Sequence, residues 1–183
     1  PVPVYLVLAV ILIWVSINVT NCSDGVDGLS ASVALVVMGT FAVAFRSALG
    51  NYRTAVLVYI AALLAYLWRN ASPCELMMGD AGSRFLGLLV GVGVLVTGNP
   101  FLVFAMAPVV LVNGGGGLGK LVLLRLAKRL GFQISDESAI KRIRFPLHDH
   151  CKKNLGWSNA QVLMRFALMQ SFLMPLLLVL LIK

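Results

Sequence analysis

Long apolar runs separated by short polar segments set the pattern of this chain. The runs cover about residues 3–20, 29–46, 53–69, 84–98, 101–124 and 160–182. Several approach the roughly 20 residues that a helix needs to cross a bilayer. Strands are excluded, because a strand in lipid leaves its backbone edge unpaired. The pattern therefore predicts an all-α, polytopic membrane protein with about six transmembrane helices, forming one integral-membrane domain over residues 1–183. Asn51, Gly98-Asn99-Pro100 and Gly156 punctuate the runs. Val4 to Val19 would rise only about 24 Å as a helix, short of the roughly 30 Å hydrocarbon core. The chain also opens on Pro-Val-Pro, with no initiator Met, basic leader or cleavage site. We expect further residues upstream, and no signal peptide.

The polar connections fall at 21–28, 47–52, 70–83, 99–100 and 125–159. The first, third and fifth are separated by two spans each, so all three face one side of the membrane. Only 12% of the residues are charged, against about 25% in a soluble domain, which makes the bilayer the solvent for most of the chain. The net charge is +8, and nine of the fifteen Lys and Arg lie between Lys120 and Lys153. Beside membrane spans, such a cluster marks the cytoplasmic side and its anionic lipids and substrates rather than nucleic acid. Arg46 and Arg53 then fall outside, a mild exception. The three cysteines, with no CxxC, are expected as free thiols in a reducing compartment.

All seven acidic residues and both histidines lie in the three same-side connections: Asp24, Asp27, Glu75, Asp80, Asp136, Glu137, His148, Asp149 and His150. A transporter places ionisable groups near mid-membrane. An enzyme acting on a water-soluble substrate at the membrane surface gathers them at one face, as here.

In the first connection, Asn21-Cys22-Ser23-Asp24-Gly25-Val26-Asp27-Gly28, the two aspartates are three apart and share a face if the segment is helical. Capping of the second helix is the alternative reading. An EF-hand is disfavoured, because no Glu closes a 12-residue loop. In the second connection, Asp80 stands between Gly79 and Gly82, just before an apolar run. A carboxylate there can hold Mg²⁺ through one or two oxygens and leave positions for water and phosphate, with a hydroxyl from Ser83. The alternative is an N-cap. In the third connection, His148 and His150 flank Asp149 beside Lys152 and Lys153. That grouping can grip phosphate or shuttle a proton. A zinc site is the rival, but His148, His150 and Cys151 offer too few soft ligands. Gly114 to Leu121 nearly matches a phosphate-binding loop, yet Leu121 replaces the required hydroxyl and no strand precedes it. These glycines read instead as a close-packing or bending point in the fifth span.

Three stretches, NCSDGVDGL from Asn21, the Asn70–Ser83 segment ending MMGDAGS, and PLHDHCKKNLGWSNAQVLMRF from Pro146, together resemble the phospho-N-acetylmuramoyl-pentapeptide transferases. The resemblance implies transfer of phospho-MurNAc-pentapeptide from UDP-MurNAc-pentapeptide to undecaprenyl phosphate, with Mg²⁺, forming lipid I and releasing UMP. It further implies a homodimer in the bacterial cytoplasmic membrane, with its active site on the cytoplasmic face. By the resemblance, Asp80 matches the metal-binding aspartate. Asn21, Asp24, Asp27 and Asn70 match polar residues of the uridine pocket, with Met77 and Ser83 beside them. His148, Asp149 and His150 occupy a three-histidine motif near the substrate phosphates. Two departures stand out: Asp149 replaces the middle histidine, and Met77 stands where an aromatic residue often stacks near uracil. The stretch from Leu130 to Arg144 also looks longer than in many members. The family's paired aspartates for the lipid phosphate, and about four further spans, are absent. The chain is thus similar to the C-terminal part of a roughly ten-helix bundle and is expected to be inactive alone. The rivals are a sister enzyme transferring GlcNAc-1-phosphate to the same lipid and, from another class, a non-enzymatic transporter or membrane subunit. Asn18, Asn113 and Gln170 are the main polar side chains within the spans that the transporter reading could use.

Overall fold

The structure, a computed structural model, describes residues 2–132 and 143–181; Asp136 and Glu137 lie outside them. The described residues form α1 (Val2–Ser23), α2 (Leu29–Ala44), α3 (Arg46–Leu49), α4 (Tyr52–Asn70), α5 (Gly79–Val96), α6 (Val103–Met106), α7 (Pro108–Arg129), α8 (Leu147–Lys153) and α9 (Asn159–Leu181). A 3₁₀ turn at Pro100–Leu102 leads into α6. Four helices, α1, α5, α7 and α9, are long and apolar enough to cross a membrane by length and composition. The run at 29–46 forms the shorter apolar α2, and α4, with Arg53 and Arg69 in its end turns, is not among the four.

The helices expose apolar surface and bury a thin seam. Leu6, Val10, Trp14, Leu64, Trp68 and Phe172 face outward, the inverse of a soluble domain and suited to lipid. Inside, Val37, Met38 and Phe41 of α2 meet Val56 and Leu63 of α4, Leu86 and Val94 of α5, and Met106. α1 and α5 run antiparallel: Asn21 meets the start of α5, while Ser16 lies against Gly87 and Gly91 further along it. A second cluster of Val26, Leu29, Val109, Cys151, Val162 and Phe166 ties α8 and α9 to the start of α2, at the end where the polar segments meet.

Three expectations are corrected. α5 begins at Gly79, not 84, so Asp80 and Ser83 lie in its first turns rather than in a loop. The first turn of a helix has free N–H groups, so polar residues and glycines are tolerated there. The His148 segment is also helical, held by Cys151 packing into the second cluster. Lastly, the run at 101–124 is not one helix. The chain leaves helical geometry at Ala107 (φ −130°, ψ 45°) and restarts at Pro108, which has no N–H to continue the ladder.

The break has a dedicated partner. Gln170 of α9, fully buried, donates through Nε2 to the Met106 carbonyl at 2.7 Å and accepts at Oε1 from the Val109 N–H at 3.2 Å. A broken helix within a membrane needs such a side chain, because no bulk water can satisfy the freed groups. Gln170→Leu leaves both groups unpaired and is expected to cost about 2–6 kcal/mol. The check is thermal unfolding in detergent; an unchanged midpoint would mean that the break is supported by other contacts. Just beyond, Leu111–Gly115 winds as a π turn, and Gly114 brings its backbone against the Val19 carbonyl. The glycine run is thus a bend with close packing, as its composition predicts.

Candidate active site

Two segments far apart in sequence build one cleft. Asn21 and Ser23 end α1, and the Asp24–Asp27 turn leads into α2; Met77 to Asp80 enter α5. Asn21, Asp24, Gly25, Asp27, Tyr66, Asn70, Met77, Met78 and Asp80 line an open cavity of about 300 Å³ between them. The helix-capping alternatives do not hold. The α2 N-cap is Gly28 and the α5 N-cap is Met78, and neither helix start receives a side-chain cap. All three aspartates line the cleft, and none of their side chains caps the start of α2 or α5.

Two amides hold the walls in register. Asn21 Nδ2 donates to Asp80 Oδ1 at 3.2 Å and to Ser83 Oγ at 2.9 Å, fixing the end of α1 to the start of α5. Ser83 is fully buried and passes its hydroxyl proton back to the Gly79 carbonyl at 3.0 Å. Asn70 accepts from the Gly28 N–H at 2.6 Å and donates to the Leu76 carbonyl at 2.8 Å and to Cys74 Sγ at 3.2 Å. Its amide is largely occupied in joining the two connections, which makes it a wall-holder of the cleft.

Asp80 remains 79% exposed at its side chain, with Arg84 one turn on at 3.3 Å. Burial pushes the Asp24 carboxyl above the ordinary carboxylate value, and the nearby Asp80 charge adds to the rise. Met77 is open to solvent, and among the described residues Tyr66 is the one aromatic ring lining the cleft. Tyr66 and Arg84 were not singled out from the sequence. Each lies one helical turn from a residue that was, Asn70 and Asp80, and that spacing was the available signal.

The third segment packs behind the cleft wall, against Gly25, through a single residue. His148 is 4% exposed, and its imidazole lies over Gly25, in the space where any side chain at 25 would project. Its backbone N–H and ring Nδ1 both face Asn113 Oδ1, at 2.9 and 3.1 Å. Burial holds the His148 imidazole below its usual value, against the pull of Asp149. None of His148, Asp149 and His150 is among the cleft-lining residues. Lys153 donates to Asp149 at 2.9 Å and lowers its carboxyl, and Arg144 N–H donates to His150 Nδ1 at 3.3 Å. Arg165 of α9 stacks 4.1 Å over Trp157, bracing the turn after α8.

The donor chemistry suits a hard cation. Asp80 presents an exposed carboxylate in a cleft of oxygen donors, the setting in which Mg²⁺ takes one or two carboxylates and fills its remaining positions with water and phosphate. Among the described residues no group of three or more His, Cys, Asp or Glu could hold a metal by itself, so the His148, His150 and Cys151 zinc reading finds no support. Cys22, Cys74 and Cys151 are free thiols.

The chain is 44% identical over 182 residues to the phospho-N-acetylmuramoyl-pentapeptide-transferase of Treponema pallidum, covering 90% of this chain and 48% of that protein. It is 31% identical over 165 residues to the enzyme of that name from Borrelia turicatae (81% and 44% covered), and 29% identical over 166 residues to that from Symbiobacterium thermophilum (90% and 46%). The chain spans about half the length of these curated relatives. The glycosyl transferase family 4 model matches residues 1–98, the half that carries Asn21, Asp24, Asp27, Asn70 and Asp80. With the four membrane-length helices, that match makes this chain a multi-pass membrane protein belonging to glycosyl transferase family 4.

Proposed function

We propose that this chain forms the UDP-sugar side of a lipid I synthase, which transfers phospho-MurNAc-pentapeptide from its UDP carrier to undecaprenyl phosphate and releases UMP. The observation that carries the reading is the convergence of Asn21, Asp24, Asp27, Asn70, Met77 and Asp80 on one cleft at one end of the bundle. The 44% identity to a transferase of that name supports the choice of donor. In this reading residues 1–183 act as one integral-membrane transferase domain, α2 and α4 cross the membrane with α1, α5, α7 and α9, and the cleft faces the cytoplasm. The protein works as a homodimer in the bacterial inner membrane, and the 183 residues alone are inactive.

Asp80 would hold Mg²⁺, which when bound screens the meeting phosphates and stabilises the leaving UMP. Asp24 and Asp27 would orient the uridine, with Asn21 and Ser83 keeping the Asp80 carboxylate in place. Met77 contributes apolar area there in place of a stacked ring. Lys152, Lys153 and Arg144 raise the local positive potential along the approach of an anionic substrate. His148 would exchange a proton near the transferred phosphate, with Asp149 and His150 on the same short helix.

The deciding experiment supplies the protein containing this chain with undecaprenyl phosphate and either radiolabelled UDP-MurNAc-pentapeptide or UDP-GlcNAc. Lipid-linked label and UMP from the first donor alone are expected. Label from UDP-GlcNAc instead would move the reading to the sister enzyme. Solute uptake by proteoliposomes with no UMP release would remove both transferase readings. EDTA is expected to stop turnover and excess Mg²⁺ to restore it; undiminished turnover in chelated protein would remove the metal.

A further inference from the structure

We propose that Asn113 is a positioning residue that fixes the proton of His148 on Nδ1 and so turns a bare Nε2 toward the Asp24 segment. The argument is one of donors and acceptors. A single atom of Asn113 faces both the His148 backbone N–H, at 2.9 Å, and its ring Nδ1, at 3.1 Å. A backbone N–H can only donate, so that atom has to be the amide oxygen; the flipped amide would set donor against donor. An oxygen facing Nδ1 in turn requires a proton on Nδ1. In the neutral ring the lone pair is then on Nε2.

Burial reinforces the arrangement. Asn113 is 2% and His148 4% exposed, so the pair is shielded from competing water, and burial also favours the uncharged ring. No described residue hydrogen-bonds to Nε2, which lies against Gly25, a lining residue of the cleft. His150 is set the opposite way. The Arg144 N–H donates to its Nδ1 at 3.3 Å, so its neutral ring carries the proton on Nε2. Two imidazoles on one short helix thus hold opposite tautomers, and only that of His148 is written by a buried side chain. Asn113 owes its place to the π turn at Leu111–Gly115, near the start of α7.

The tautomer assignment stands apart from the proposed transferase activity. The use of Nε2 in turnover rests on that activity. The test uses full-length protein containing this chain, labelled with ¹⁵N-histidine, with His148→Gln and His150→Gln to identify the signals. Expected are an N–H-type Nδ1 and a bare Nε2 for His148, and the reverse for His150. Asn113→Leu is expected to move the His148 proton to Nε2 and lower UMP release by about 10²-fold, the low end of what a placed acid or base contributes. Asn113→Asp keeps an acceptor in the same place and is expected to keep the proton on Nδ1. A bare Nδ1 on His148 in the unmutated protein overturns the proposal. So does an Asn113→Leu protein that switches tautomer while releasing UMP at the original rate. An unmutated protein with the Nδ1 proton but no UMP release would overturn the transferase reading and leave the tautomer assignment standing.

Discussion

Asp80→Asn is expected to lower turnover by about 10³-fold or more while leaving the protein folded and in the membrane. The reason lies in how little the fold asks of the Asp80 charge. Its side chain is 79% exposed, and the Asn21 amide donates to a single oxygen, Oδ1, which asparagine retains. The contact with Arg84 is an exposed one-turn pair, of a kind worth little to stability. What disappears is the negative charge that would hold a cation against two phosphates. A loss of several kcal/mol of transition-state stabilisation corresponds to the factor stated. The measurement is UMP release at saturating Mg²⁺, alongside a detergent melting curve. Undiminished release would take Asp80 out of the chemistry, whatever the melting curve showed.

Gly25→Ala is the second large effect, and it acts by collision. A methyl group at 25 would project into the His148 imidazole, which is held from behind by Asn113. Either the ring or the Asp24–Asp27 turn has to move. Overpacking of this kind costs about 1–3 kcal/mol, and displacement of a reacting group by about 1 Å can cost about 10²-fold in rate. We expect both: a lower melting midpoint and about 10²-fold slower UMP release. The diagnostic is a double mutant. With His148→Ala in place the methyl group has room, so adding Gly25→Ala should cost little further stability. Additive losses would show that the glycine is needed for its own backbone and not as a seat for the ring.

Much of this was readable from run lengths and parity. Apolar runs located α1, α2, α4 and α9 to within a few residues, because only a continuous helix satisfies its own backbone in lipid. Counting spans also put the Asp24, Asp80 and His148 segments at one end, where Asn21 meets Asp80 and Gly25 meets His148. What escaped the reading was short-range and cooperative. The first turn of α5 looks like loop because its residues are Gly, Asp and Ser, yet free N–H groups make such residues welcome there. α8 is too short and too polar to be stable by itself and exists because Cys151 is buried against Val162 and Phe166. Asn113 and Gln170 read as isolated polar residues in greasy helices. Their partners lie 35 and 61–64 residues away, a separation that no local pattern reports.

Gln170 also dictates an order of assembly. The gap it bridges sits between α6 and α7, but the glutamine belongs to α9, which leaves the ribosome after both. Until α9 integrates, the Met106 carbonyl and the Val109 amide have no partner in the bilayer, and the bend beyond them, with Asn113 on it, lacks its splint. Completion of the cleft end is thereby deferred until α9 is made, so a nascent chain stalled before residue 170 would hold its His148 helix against an unfinished wall.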